Sequence, residues 1–180
     1  MPYYLWDAKK DRFVKSKKPP KKKIEVFYRL AKNKDKEKII DFEMECQKLE
    51  PEIFISLSSY KTIKRKWQKI NLAKRDNFAT IIALTKKERK VVGILSMGWY
   101  FDNYDEEIQK VGVISLLFVL KPFRMAGIGK GLINFSQKIF RKWGVKRIEL
   151  KVGIKNLAGL EFYRKLKFKI RKIGLATLDF

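Results

Sequence analysis

The chain has no histidine, and with it goes the commonest general base and proton shuttle at neutral pH. It has one cysteine, Cys46, which excludes an internal disulfide and fits a reducing compartment. Cys46 falls on the apolar side of a predicted helix with Ile39, Phe42 and Leu49, so it reads as core packing rather than chemistry. No apolar run approaches the roughly 18 to 20 uncharged residues that a membrane-spanning helix needs. Met1 to Trp6 form a short aromatic stretch without the pattern of a secretory signal, and Asp7 and Asp11 argue against a transit sequence. A cytoplasmic setting is therefore expected. Carboxylates are also scarce, 19 against 43 Lys and Arg, which leaves a net charge of +24.

What is present fits one domain with a real core. The length is 180 residues and hydrophobic content is 46%. The surplus of positive charge points to a large acidic partner, RNA or a ribonucleoprotein before others. Lys-rich codon bias is the bland alternative, whereas a thermophile's surface would balance Lys with Glu. The surplus is densest in residues 1–23, read as a basic extension ahead of a domain over 24–180. Lys9, Lys10, Arg12, Lys15, Lys17, Lys18, Lys21, Lys22 and Lys23 face only Asp7 and Asp11, and Pro19-Pro20 favours an extended path. Tyr3, Tyr4, Trp6 and Phe13 interleave aromatics suited to stacking on bases. A disordered solubilising tail has the same composition.

Along the domain, residues 24–30 predict a strand and 35–49 a helix burying Ile39, Phe42, Cys46 and Leu49, stopped by Pro51. A second helix starts at Ser58 or Ser59, turns Ile63, Trp67 and Ile70 inward, and presents Lys61, Lys64, Arg65, Lys66 and Lys69 outward. With Lys64 and Arg65 at its centre, that face is a candidate phosphate-tracking surface. Residues 78–84 and 91–101 read as an antiparallel hairpin, 102–109 as an acidic loop, and 111–120 as a central strand apolar on both faces. A helix over 127–143 buries Leu132, Ile139 and Trp143 and ends at Gly144. Strands at 147–154 and 169–178 complete a mixed α/β sheet flanked by helices.

The chemistry gathers around Arg124-Met125-Ala126-Gly127-Ile128-Gly129-Lys130-Gly131, between the central strand and the helix that follows. Glycines at 127 and 129 remove Cβ atoms that would hold a ligand off the backbone. Consecutive N–H groups can then converge on an anion at the helix's positive end. Arg124 and Lys130 bracket those amides with full charges. It is not a Walker loop, because Gly131 follows Lys130 where Ser or Thr is required. After the next strand come Asn156, Ala158-Gly159, Phe162-Tyr163, Lys165-Leu166 and Phe168.

Arg-x-x-Gly-x-Gly after an apolar strand, then Asn-x-x-x-x-x-Phe-Tyr-x-Lys-Leu-x-Phe some thirty residues later, resembles the Gcn5-related N-acetyltransferases over residues 111–168. The resemblance implies that the turn, Arg124 to Lys130, holds the pyrophosphate of acetyl-CoA. It implies further that the strand end at Phe118 and Val119 pairs with the pantetheine arm, with Asn156 bonding the pantetheine or a backbone carbonyl. Tyr163 would then be the general acid toward the departing thiolate. Two positions depart from the family's pattern: Met125-Ala126 replaces the more usual Gly-Lys, and Lys167 replaces the glycine usual before the last aromatic.

Acetyl transfer to an amine needs a neutral nucleophile, a polarised thioester carbonyl and a proton for the sulfur. In the family a carboxylate on the central strand often draws the amine's proton through water. Here that strand has none, and Ser115 is its only hydroxyl. Glu106 and Glu107 just before it are the nearest carboxylates, with Glu43 and Glu45 as outsiders, and each is also readable as ordinary solvated charge. A strongly cationic protein repels polyamines and aminoglycosides at long range, so an amine on an anionic body is the better acceptor. Against the enzyme reading stands a family-like fold kept as a structural or RNA-binding part of a ribonucleoprotein, and more weakly a toxin-like acetyltransferase of charged tRNA.

Overall fold

The computed structural model describes residues 3–7, 12–16, 24–49, 58–72, 77–105, 107–153 and 156–170. The chain divides into two compact units, Met1–Glu149 and Leu150–Phe180. In the first, β3 (Val26–Leu30), β4 (Phe78–Thr85), β5 (Val91–Asp105), β6 (Glu107–Val119) and β7 (Arg147–Leu150) form a five-stranded sheet in that spatial order. The pairs β3/β4, β4/β5 and β5/β6 are antiparallel. Helices α1 (Lys36–Leu49), α2 (Tyr60–Lys69) and α3 (Ile128–Lys142) belong to the same unit. The second unit carries α4 (Leu157–Lys165). Among the described residues no helix is long and apolar enough to cross a membrane.

The basic extension is not simply an extended path: β1 (Tyr3–Asp7) and β2 (Arg12–Ser16) pair antiparallel with Trp6 opposite Phe13. Lys9, Lys10, Lys17, Lys18, Lys21, Lys22 and Lys23 lie outside the described residues, as does the side chain of Arg12. The expected loop over 102–109 is largely strand. β5 runs on to Asp105 and β6 begins at Glu107, because the ladder between the two continues past Phe101 opposite Lys110 and Asp102 opposite Gln109. The strand expected over 169–178 falls outside the described residues from 171 onward, and residues 169 and 170 belong to no strand.

The sheet is covered on both faces. On one, Ile39, Ile40, Phe42 and Cys46 of α1 and Ile63 and Trp67 of α2 close over Ile82, Leu84, Ile94 and Leu120. Ile40 takes the place expected of Leu49, which is exposed in the last turn of α1. Ser59 caps α2 by accepting from the Thr62 N–H. Glu43 accepts from Trp67 Nε1 at 2.7 Å and from Lys66 Nζ at 3.0 Å, and Glu45 pairs with Lys90 at 3.0 Å. Both outsider carboxylates are thus engaged in tying helices and strands together. The start of α1 is anchored by Arg29, which clamps Asp35 with two bonds of 2.7 Å while Lys32 N–H donates to the same carboxylate.

On the opposite face α3 lies close against the strands. Its buried residues are Ile128, Leu132, Ile133, Ser136 and Phe140, where Ile139 and Trp143 had been expected alongside Leu132; those two are only half-buried. A Cβ at Gly93 would meet Leu132 and Ile128 side chains at 3.1 and 3.2 Å, and one at Gly112 would meet Phe140 Cε1 at 2.5 Å. The sheet therefore leaves two bare backbone patches on which the helix rests. A Cβ at Gly131 would land on the hydroxyl and ring of Tyr28, so that glycine serves packing rather than the anion turn.

Two measurements follow. Gly112→Ala overpacks the Phe140 contact and is expected to cost about 1–3 kcal/mol, with part of the loss recovered in Gly112→Ala/Phe140→Leu; equal losses in single and double variants in urea unfolding would refute the contact. Arg29 holds the Asp35 carboxyl below its ordinary range, chiefly by side-chain hydrogen bonds. A depressed folded-state pKa adds stability above the unfolded value and loses it as pH falls. The stability gap between wild type and Asp35→Asn should therefore be full at pH 7 and shrink below about pH 4.

Candidate functional site

The site is built on an irregularity in β6. Ser96 of β5 pairs with Leu116, but the next residue, Met97, pairs with Ile114. Ser115 is the extra residue, a β-bulge that takes one backbone amide out of the ladder and re-aims one side chain. Its side chain is exposed, with the hydroxyl donating to the Ser96 carbonyl at 3.3 Å. On its other edge β6 has little cover. Lys146 N–H donates to Lys110 O, and β7 begins at the next residue and is four residues long. A strand of that length reaches no further than about Ile114. Among the described residues, Ser115 to Val119 therefore have no strand on that side.

Past Val119 the chain makes a single turn of 3₁₀ helix, Lys121–Phe123, with Pro122 in its first turn. Arg124 folds back, its Nε donating to Val119 O at 2.8 Å and its guanidinium 5.1 Å from the centre of the Phe118 ring. The charge expected to flank the turn amides is thus also a clasp between strand end and turn. Met125 is exposed and left-handed, with φ of 62°. Gly127 is left-handed too, φ 79°, and a Cβ there would meet nothing within 4 Å. α3 starts at the next residue with no side-chain cap. The N–H groups of Ile128, Gly129 and Lys130 have no acceptor within the helix, and Gly131 N–H makes the first such bond, to Gly127 O at 2.9 Å. Three amides at the positive end of a fifteen-residue helix follow a glycine whose Cβ position is open, with Lys130 exposed beside them. This is the geometry that a diphosphate needs.

Ser115 also borders a depression of about 380 Å³ lined by Asn77, Phe78, Gly98, Trp99, Tyr100, Val113 and Ser115. At its rim the Tyr100 hydroxyl donates to Glu149 Oε2 at 3.4 Å, and Arg147 joins Glu149 through Nε at 2.9 Å and bonds Asp102. Burial and the Glu149 carboxylate push the Tyr100 phenol upward. This group escaped the sequence reading. The only available signal was the alternation along β5, which puts Tyr100 and Asp102 on one face. Glu106 lies outside the described residues, and only the backbone of Glu107 is described. Glu107 precedes Ser115 by eight residues, roughly 26 Å of strand.

In the second unit Asn156 is the N-cap of α4, its Oδ1 accepting from Gly159 N–H at 2.8 Å. Tyr163 is half-buried, its ring edge-on to Phe162 at 5.2 Å and to Phe168 at 5.6 Å. Burial raises its phenol above the ordinary value of 10.0, so it stays protonated through the neutral range. Lys167 is left-handed with φ of 66°.

The family model described as the acetyltransferase (GNAT) family matches residues 41–168. An uncharacterized N-acetyltransferase of Methanocaldococcus jannaschii is 37% identical over 73 residues, which cover 39% of this chain and 32% of that protein. The match thus spans about a third of the curated relative's length. Among solved structures, an aminoglycoside N-acetyltransferase in complex with CoA superposes with a TM-score of 0.69 at 16% identity, covering 89% of this chain and 98% of that one. A transcriptional regulator from Bacillus halodurans C-125 gives 0.69 at 20% identity, covering 86% and 100%. At these identities the superpositions establish the fold.

The two departures that replace a glycine, Met125 and Lys167, both fall on left-handed residues, which explains why glycine is usual there. Met125→Gly and Lys167→Gly should each stabilise the protein by about 0.5–1 kcal/mol, the relief of left-handed strain less the entropy of a freer unfolded chain. Thermal unfolding would register each as a rise of roughly 1–4 °C; a fall at both positions would contradict the backbone described.

Proposed function

The chain belongs to the acetyltransferase (GNAT) family, and we propose that it is an acetyl-CoA-dependent N-acetyltransferase whose acceptor amine is carried by, or beside, an anionic partner such as RNA or a ribonucleoprotein. The observation that carries the enzymatic part is the bulge at Ser115. It lies on the strand that leads into the anion turn, and between the two that strand has no partner on its other edge among the described residues. Val119 and the bulge are about 13 Å apart along the strand, a span suited to an extended arm joining a diphosphate to a thioester.

The residues present fit acetyl-CoA: the amides of 128–130 and Lys130 for the diphosphate, the open edge at Phe118 and Val119 for the arm, Arg124 holding the turn against the strand. When bound, acetyl-CoA supplies the activated acetyl group. The protein's part is to offer the displaced backbone amide at the bulge to the thioester oxygen, where negative charge grows during attack. The depression beside Ser115 is a place for the amine, with Phe78 and Tyr100 as apolar walls. Tyr163 enters this reading through the motif that it shares with the family, as donor of the proton that the departing sulfur requires. The anionic partner rests on the charge of +24, which favours acceptors mounted on a polyanion over free polycations.

Gly127→Val should abolish acetyl-CoA binding in titration calorimetry while leaving the fold intact by circular dichroism. Tyr163→Phe should lower kcat by roughly 10²-fold or more with cofactor affinity unchanged. Saturable cofactor binding with no thioester consumption, using amines borne on RNA or on protein, would instead favour a non-catalytic ribonucleoprotein component.

A further inference from the structure

Positive charge is spread over the whole chain, but the carboxylates that could neutralise it are not. The helix expected from the sequence to track phosphates, α2, packs against α1, which carries Glu37, Asp41, Glu43 and Glu45. On α2, Lys64 has Glu37 Oε1 at 3.9 Å and Lys66 has Glu43 Oε1 at 3.0 Å, while Lys61, Arg65 and Lys69 have no carboxylate within 4 Å among the described residues, so what tempers that face is the row of acids on the adjoining α1. On α4, Arg164 and Lys165 both pair with Glu161. By contrast, the fifteen residues of α3 include no acid at all. Its exposed positions are Lys130, Asn134, Lys138, Arg141 and Lys142, and among the described residues no carboxylate lies within 4 Å of any of those four cations. At about 100° per residue all five fall within an arc of about 120°. From Lys130 to Lys142 the stripe runs about 18 Å, and Lys138 and Lys142 stand one turn, about 6 Å, apart.

We propose that the outer face of α3, centred on Lys138, Arg141 and Lys142, is an RNA-binding surface that follows the phosphate backbone without reading bases. The stripe winds gently around the helix, carries no acid and exposes no aromatic side chain, so it offers charge and hydrogen-bond donors to phosphates and no platform for stacking. Asn134 and the half-buried Gln137 add neutral donors along the same line. Partner recognition is thereby placed on the helix whose first turn offers the anion site. The assignment rests on the anionic-partner part of the reading above and not on catalysis.

The test is fluorescence anisotropy with a labelled 20-nucleotide single-stranded RNA, titrated at several salt concentrations. Wild type should bind with a clear salt dependence. The triple variant Lys138→Gln/Arg141→Gln/Lys142→Gln should lower the slope of log K against log salt by about 2, since each neutralised single-strand phosphate contributes about 0.7. It should also bind at least about tenfold more weakly near 0.15 M salt. The triple variant Lys61→Gln/Arg65→Gln/Lys69→Gln on α2 should change the slope by less than half as much, and Lys138→Arg/Lys142→Arg should behave as wild type. An α2 effect as large as the α3 effect would overturn the assignment, as would no RNA binding at 50 mM salt, or polyglutamate bound as tightly as RNA with the same loss on α3. Acetyl-CoA titration of the same α3 variant should be unchanged, so a failure of the cofactor reading would show separately in wild type.

Discussion

The close seating of α3 on the sheet is the contact on which the rest depends. Helix and strand approach so nearly only because Gly93 and Gly112 present bare backbone to Ile128, Leu132 and Phe140. With both ends of the helix fixed over β5 and β6, its N-terminus has one place to go, over the end of β6, where Arg124 clasps Val119. Leu120, buried in the cluster beneath α1 and α2, pins the other side of the same junction. A helix standing farther off would leave its free amides unregistered against the strand. The proposed anion site is thus a consequence of packing several residues away from it.

The bulge at Ser115 is the second constraint, and the two are coupled through a single strand. β6 pairs with β5 up to Val119 opposite Gly93, so the ladder is kept on one side while a residue is expelled from it midway. The open edge on the other side requires a short β7, and Arg147 and Glu149 are instead engaged near Asp102 and Tyr100, toward the far end of β5. In this way the same strand is paired toward β5 and, among the described residues, unpaired over 115–119 on its other side.

Much of this was legible in the residues because it is periodic or glycine-marked. The spacing of Ile39, Phe42 and Cys46, the apolar run into Leu120 and the glycines at 127 and 129 each state a local preference that tertiary packing respects. The bulge was not legible, since Val113-Ile114-Ser115-Leu116 reads the same whether Ser115 pairs or not; only the register with Ser96 reveals it. The hairpin at 102–109 was missed for another reason. Its Asp, Asn and Glu residues disfavour strand locally, but the ladder between β5 and β6 carries them along. Leu49 is exposed although Cys46 and Gln47 in the same turn are buried, because it is the last residue of α1, whereas Ile40 lies fully buried nearer the helix start. Relations between Tyr163 and the turn are matters of motif, with each unit intelligible alone.

The charge distribution bears on whether the two proposed anions can be held at once. A diphosphate at 128–130 and a phosphate chain along Lys138 to Lys142 compete only if they need the same cation. Lys130 stands about 12 Å along the axis from Lys138, more than a Debye length of about 8 Å at physiological salt. The two proposed sites are therefore nearly independent: on this reading an RNA laid on the far half of α3 neither expels nor recruits the cofactor by charge. Were the stripe continuous through residue 134 with another lysine, phosphates would extend to the turn and bind against the diphosphate. Asn134 breaks that continuity: a neutral side chain separates the cation nearest the turn from the three farther along the helix.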